Sequence, residues 1–161
     1  MTDQDTHGPF EDPLSIYDPP EYADPLEQAL AEETVAAIHS QPFVAVAPDT
    51  PIARALQALA GLDIGCLLVA EDNKLLGMFT VRDVLDKVVE QYDALKDQPV
   101  SNVMTPDPVT VYEADPTASA LCAMAAGGYR HVPVLDMDER LVGVVSPQRV
   151  AAFLRDRLLI G

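Results

Sequence analysis

The sequence predicts a mixed α/β (α+β) fold made of two tandem copies of one β-α-β-β-α unit, related by a pseudo-twofold axis. Three observations predict it. The chain repeats itself at a shift of 65 positions, so that Val44-Ala45-Val46 matches Val109-Thr110-Val111. Both copies carry a short apolar strand with a central glycine that runs through a hydroxyl residue into a helix, at Gly77 and Thr80 and again at Gly143 and Ser146. The 161 residues are 48% hydrophobic, enough for one domain or for two small halves sharing a core.

Residues 1–23 read as an acidic, proline-rich N-terminal arm, with Pro9, Pro13, Pro19 and Pro20 among many Asp and Glu. Disorder is the default for such composition. Phe10, Leu14, Ile16, Tyr17 and Tyr22 keep a second reading open, an extended arm packed on its own domain or on a neighbour. A helix is expected over 24–39, with Asp24 as N-cap, Pro25 at the first position and Glu27 at the third.

The first unit is expected over 40–95. A strand near 43–47 leads to a helix capped by Thr50-Pro51 that carries Ile52, Leu56 and Leu59 and ends at Gly61. An apolar strand over 64–69 and a tight turn over 71–74 lead back into Leu75-Leu76-Gly77-Met78-Phe79-Thr80. That run reads as a strand covered on both faces, with Gly77 allowing close approach of another backbone or a ligand. Val84, Leu85, Val88, Val89 and Tyr92 then recur at helical spacing from Asp83 to about 95. A linker over 96–104 joins the second unit, 105–161. There Pro116, Ala118, Leu121 and Val134 repeat Pro51, Ala53, Leu56 and Val69. One extra residue in the 136–140 turn brings Gly143 and Ser146 into register, and a helix over 148–159 closes the unit.

Charge and cysteine usage exclude several classes. A formal net charge of −16 argues against nucleic acid and anionic membrane surfaces, and requires any anion site to be a local basic spot. Cys66 and Cys122 sit in apolar runs and read as reduced core residues. His7, His39 and His131 are scattered, which gives no metal cluster. The acidic N-terminus is no signal peptide, and no apolar run approaches the roughly 20 residues that span a bilayer. The expectation is a soluble, cytoplasmic protein.

Thr80 and Asp83 admit two readings. They form a capping pair for the helix they open, or they present oxygens at the strand's C-terminal edge to the hydroxyls of a sugar.

The order of elements, with the Gly-x-x-Thr-x-x-Asp junction, resembles the cystathionine-β-synthase (CBS) domain pair, or Bateman module. The resemblance covers roughly residues 40–160. Val103-Met104-Thr105-Pro106 looks like the family's lead-in segment, Tyr129-Arg130-His131-Val132-Pro133-Val134 like its middle strand, and Gly143-Val144-Val145-Ser146 like its last.

The resemblance implies an adenosine-containing ligand in a cleft between the motifs, AMP, ADP or ATP first, with S-adenosylmethionine, NAD and cyclic dinucleotides also within the family's range. Gly77, Thr80 and Asp83 then form the ribose set. Met104, Thr105, Asp107, Val109 and Tyr129 face the base, and Arg130 and His131 face the phosphates. Arg82 reads as solvated, and His131 equally well as a structural residue. The second cleft departs from the pattern: Ser146 keeps the hydroxyl, but Arg149 stands where the family has its acid, and a guanidinium cannot accept hydroxyl protons. Its other wall would be Ile64, Gly65 and Cys66. Only the first cleft is expected to bind.

The function implied is a stand-alone regulatory module, homodimeric and acting on a separate partner protein, with no catalytic machinery. The alternative is a ligand-independent dimerisation or scaffold module.

Overall fold

Two antiparallel hairpins with apolar side chains on both faces organise the molecule. The computed structural model describes residues 18–159; the reading of the arm over 1–17 lies outside the described residues. The elements are α1 (Pro25–Glu32), β1 (Ala45–Val46), α2 (Ile52–Ala60), β2 (Cys66–Glu71), β3 (Lys74–Thr80), a helical segment α3 over 81–95, β4 (Thr105–Pro106), β5 (Val111–Tyr112), α4 (Thr117–Gly127), β6 (Val132–Leu135), β7 (Leu141–Val145) and α5 (Pro147–Leu159).

Successive residues of a strand point to opposite faces, and β2 uses both. Leu67 and Val69 join Phe79 on the face that packs against Ile52, Ala55 and Leu59 of α2 and Val88 of α3. Cys66 and Leu68 join Met78 on the other face, against Leu135, Leu141 and Val144 of the second unit. Four consecutive buried residues, Cys66 to Val69, follow from this, where the sequence predicts an apolar strand over 64–69. A separate core unites β5, β6, β7, α4 and α5 around Val132, Val134, Val145 and Phe153. Burying each such side chain stabilises by about 1.5–3 kcal/mol.

One sheet has the order β1-β2-β3-β4 and the other β5-β6-β7. In each, the short lead-in strand runs parallel to the middle strand, β1 on β2 and β5 on β6, and the hairpin closes antiparallel. The first hairpin turns through Asp72 and Asn73, both at positive φ. The second absorbs its extra residue with Asp136, whose carboxylate accepts from the amides of Asp138 and Arg140, each at 2.9 Å.

Each unit's lead-in segment crosses to the other unit's last strand. Thr105 and Pro106 pair with Met78 and Gly77, and the Ser40 carbonyl accepts from the Val144 amide at 3.0 Å beside Gly143. A Cβ on Gly77 would lie 2.6 Å from Met104 Sδ and 2.7 Å from the Thr105 carbonyl, and one on Gly143 would strike the Ser40 hydroxyl. The close approach that the sequence assigns to Gly77 is made by the crossing backbone.

Helix ends depart from the sequence reading. The N-terminal helix stops at Glu32 instead of running to 39, because Glu33 turns extended (φ −81, ψ 152). Residues 34–36 then brace the start of α4: Thr34 bridges Pro116, and the amides of Val35 and Ala36 donate to the carbonyls of Asp115 and Glu113. The linker does the same for α2. Pro99 bridges Pro51, the Val100 amide donates to the Thr50 carbonyl, and the amides of Ile52 and Ala53 donate to the carbonyls of Gln98 and Lys96. Neither Thr50 nor Asp115 caps its helix through a side chain, since Pro51 and Pro116 hold the N-cap positions. Residues 129–131 lie outside β6, which starts at Val132. Gly128 at φ 69 ends α4 in the left-handed conformation, and the chain runs along the edge of a cleft before it joins the sheet.

Candidate functional site

The C-terminal end of β3 opens into a cleft of about 580 Å³ between the two units, within the range of small-molecule sites. One wall is Thr80, Val81, Arg82 and Leu85, where β3 passes into α3; opposite stand Tyr129, Arg130 and His131. Ile64, Gly65, Met78, Thr105 and Gly128 complete the lining.

The wall at 127–131 is set by backbone rules. Gly127 has no Cβ, and the Tyr129 ring occupies the space one would fill. Tyr129 is 42% exposed and lines the cleft, which makes it an aromatic platform there. The carbonyl of Ile64 accepts from His131 Nε2 at 2.5 Å, which ties this loop to the turn before β2. Burial pushes the His131 pKa below its ordinary value, against the opposing pull of the Ile64 carbonyl. His131 thus has a structural partner in the Ile64 carbonyl, and burial disfavours its charged form. Arg130 is exposed and forms no hydrogen bond or ion pair among the described residues. Arg82 also lines the cleft and makes an exposed ion pair with Asp86 at 3.1 Å, a contact of small worth.

Thr80 and Asp83 form a reciprocal capping box. The Thr80 hydroxyl accepts from the Asp83 amide at 3.4 Å, and Asp83 Oδ2 accepts from the Thr80 amide at 2.9 Å and from the Thr80 hydroxyl at 3.1 Å. Asp83 Oδ1 accepts from Lys87 Nζ at 2.9 Å and from the Thr105 hydroxyl at 2.8 Å. Lys87 continues to the carbonyls of Val103 at 3.1 Å and Met104 at 3.5 Å. Asp83 is 4% exposed, and its carboxylate is met by four donors of its own chain.

Of the residues expected at the site, Thr80, Thr105, Tyr129, Arg130 and His131 come together in the cleft. Asp83 lies one layer behind Thr80. Gly77 packs against Met104 and Thr105, and Met104 also packs on the first unit's core. Asp107 and Val109 are exposed in the irregular segment between β4 and β5 and do not line the cleft. Lys87, Ile64, Gly65 and Leu85 are contributors the sequence reading did not place here. Lys87 had a signal, an acid and a base four residues apart on one helix face. Gly65 was expected across the second cleft, but its φ of +64 turns it toward Val81.

The second cleft, about 320 Å³, is lined by His39, Gln41, Pro42, Asp63, Ile64, Ser146, Gln148, Arg149 and Ala152. Arg149 closes it. Its guanidinium donates to the carbonyls of Ser40 and Pro42, and to Val144 at 2.7 Å. Burial pulls the Arg149 pKa below its ordinary value. Cys66, expected on this wall, is buried between the units beside Met78, and burial pushes its thiol up to about 12.

A model of the CBS domain matches residues 35–90 and 100–156. The chain belongs to the CBS domain family and carries two such domains in tandem. It is 34% identical over 109 residues to the CBS domain-containing protein CBSCBSPB5 of Arabidopsis thaliana, a match that covers 67% of this chain and 20% of that protein. The chain thus spans about a fifth of the length of that relative. Among solved structures it resembles the CBS-domain containing protein ATU1752 from Agrobacterium tumefaciens, at 34% identity and a TM-score of 0.61, covering 70% of this chain and 89% of that one. It also resembles CBSX2, solved in complex with AMP, at 26% identity and a TM-score of 0.65, covering 80% of this chain and 98% of that one.

Proposed function

We propose that this CBS pair is a regulatory module that takes one adenosine-containing ligand, of the AMP, ADP or ATP class, in the first cleft and passes the event to a separate protein. The observation that carries the reading is the convergence of an aromatic platform, Tyr129, and an uncommitted guanidinium, Arg130, opposite the Thr80 hydroxyl in a molecule of net charge −16. A planar base stacks on the first, phosphate oxygens fit the fork of the second, and sugar hydroxyls reach the Thr80–Asp83 corner. Similarity to CBSX2, solved with AMP, supports the ligand class. The module works without turnover, since binding and release are all the cleft's groups provide for. Titration calorimetry with adenosine, AMP, ADP and ATP tests the reading: saturable binding of at least one supports it, and none for all four sinks it.

The alternative is a ligand-independent dimerisation module, and two observations favour it. The Asp83 carboxylate is fully engaged within the chain. Val81, Leu85, Val89 and Tyr92 also form an exposed apolar stripe along α3, each at least 40% exposed. We take the stripe as the contact of a homodimer in either case.

A further inference from the structure

Asp83 Oδ1 carries two donors, Lys87 Nζ at 2.9 Å and the Thr105 hydroxyl at 2.8 Å, while Oδ2 serves the two groups of Thr80. A carboxylate offers about four lone-pair positions, so all of them are met. A sugar hydroxyl entering from the cleft can bond Asp83 only by taking the place of one of these donors.

The four are unequal. The Thr80 amide belongs to the capping box, and Lys87 is held in addition by the carbonyls of Val103 and Met104. Thr105 itself lines the cleft, is exposed, and its hydroxyl makes no other hydrogen bond. It is also the same chemical group as the incoming one, so an exchange conserves the number and type of bonds to the carboxylate.

We propose that the Thr105 hydroxyl is an internal stand-in for a ligand hydroxyl on Asp83, so that binding is an exchange which releases β4. The proposal rests on the ligand reading above and names the residue that gates it. β4 has two ladder partners, Gly77 and Met78, and the Asp107 amide beyond it donates to the Leu76 carbonyl, so losing the Thr105–Asp83 bond removes its side-chain hydrogen bond to the first unit and leaves these backbone ties. The second unit offers a comparison. There the crossing is held by the Arg149 guanidinium on the carbonyls of Ser40 and Pro42, and a neutral hydroxyl in its place would give up the charge-assisted bonds. One crossing is therefore releasable by a ligand and the other fixed. The released segment is continuous with residues 96–104, which brace α2.

The test uses Thr105→Val, which removes the hydroxyl and keeps the β-branched shape, and Thr105→Ser, which keeps the hydroxyl, with adenosine and AMP as probes in calorimetry. Thr105→Val should bind roughly 10-fold more tightly than wild type, the worth of one hydrogen bond to a charged group, and Thr105→Ser should match wild type. Binding by Thr105→Val alone, with wild type silent, also supports the exchange. Equal or weaker binding by Thr105→Val, with wild type binding, overturns the exchange and leaves the ligand reading standing; silence of both proteins toward adenosine, AMP, ADP and ATP overturns both. Hydrogen exchange of the wild-type chain gives a second readout. Amides over 103–107 should exchange faster at saturating adenosine, and unchanged or slower exchange overturns the release of β4.

Discussion

Arg149 begins α5 at the position where Asp83 begins α3, and each holds the other unit's lead-in segment with opposite charge. Asp83 accepts from the Thr105 hydroxyl, and Arg149 donates to the carbonyl of Ser40, the residue in register with Thr105. One repeat thus holds a buried carboxylate behind its cleft wall, and the other lines its cleft with a cation. On the proposed reading, that difference separates a binding cleft from a structural one.

The stoichiometry of binding should follow it. Calorimetry should return one nucleotide per chain. Arg149→Asp should not open a second site, and should lower stability by about 1.5–3 kcal/mol, because bonds from a charged donor are lost and carbonyls are left unmet. Two equivalent sites per chain would contradict this assignment.

Arg130→Ala should weaken AMP, ADP or ATP by roughly 10- to 150-fold, the worth of a charge-assisted bond, and leave adenosine within about twofold. Equal losses for adenosine and the nucleotides would make Arg130 a structural residue.

Asp83→Asn should lower the melting temperature as well as affinity. A surface charge at a helix start is worth only about 0.3–1 kcal/mol, but Asp83 is buried and ties Thr80, Lys87 and Thr105 together. A loss of about 2 kcal/mol or more is expected, read by denaturant unfolding without ligand. An unchanged midpoint would mean that the four bonds add nothing net.

His131 gives a pH dependence with a definite sign. Its folded-state pKa lies below its ordinary value of 6.5 because burial disfavours the cation. The unfolded chain therefore binds more protons, and stability falls as pH drops from about 6.5 toward the folded pKa. His131→Gln should flatten the melting curve between pH 7 and 5 relative to wild type. Parallel curves would remove His131 as the cause.

Val89 lies on the exposed stripe of α3 away from the cleft. Val89→Glu should shift the chain from dimer to monomer in sedimentation at micromolar concentration and leave nucleotide affinity within about twofold. An unchanged mass distribution would exclude this stripe as the contact.

The repeat and the hairpins were legible because their signals are local. Cys66 to Val69 alternate between two buried faces, and Gly77 and Gly143 recur where backbone crosses backbone. Helix ends were not legible at Thr50, Asp115 and Glu32, because the amides there are met by carbonyls, or the chain is turned by bridges, from segments about 50–80 residues distant. The site was half legible. The Thr80–Asp83 pair reads the same as cap or as ligand contact, and only the tertiary partners Lys87 and Thr105 show that the carboxylate is already in use. His131 read as a ligand or a structural residue until the Ile64 carbonyl gave it a partner.

The reciprocal braces have a consequence for how the chain folds. Val35 and Ile38 complete the core of the second unit, and Val100 and Val103 complete that of the first. The second core cannot be closed by its own continuous stretch of sequence until residues 29–38 have been threaded across, whereas the first is drawn from residues 46–104. Such long-range closure carries a large loop entropy and slows folding, and it also joins the two halves into one cooperative transition. A fragment beginning at residue 105 should be unstructured alone, for want of Val35 and Ile38, and should regain order by complementation when mixed with residues 1–104.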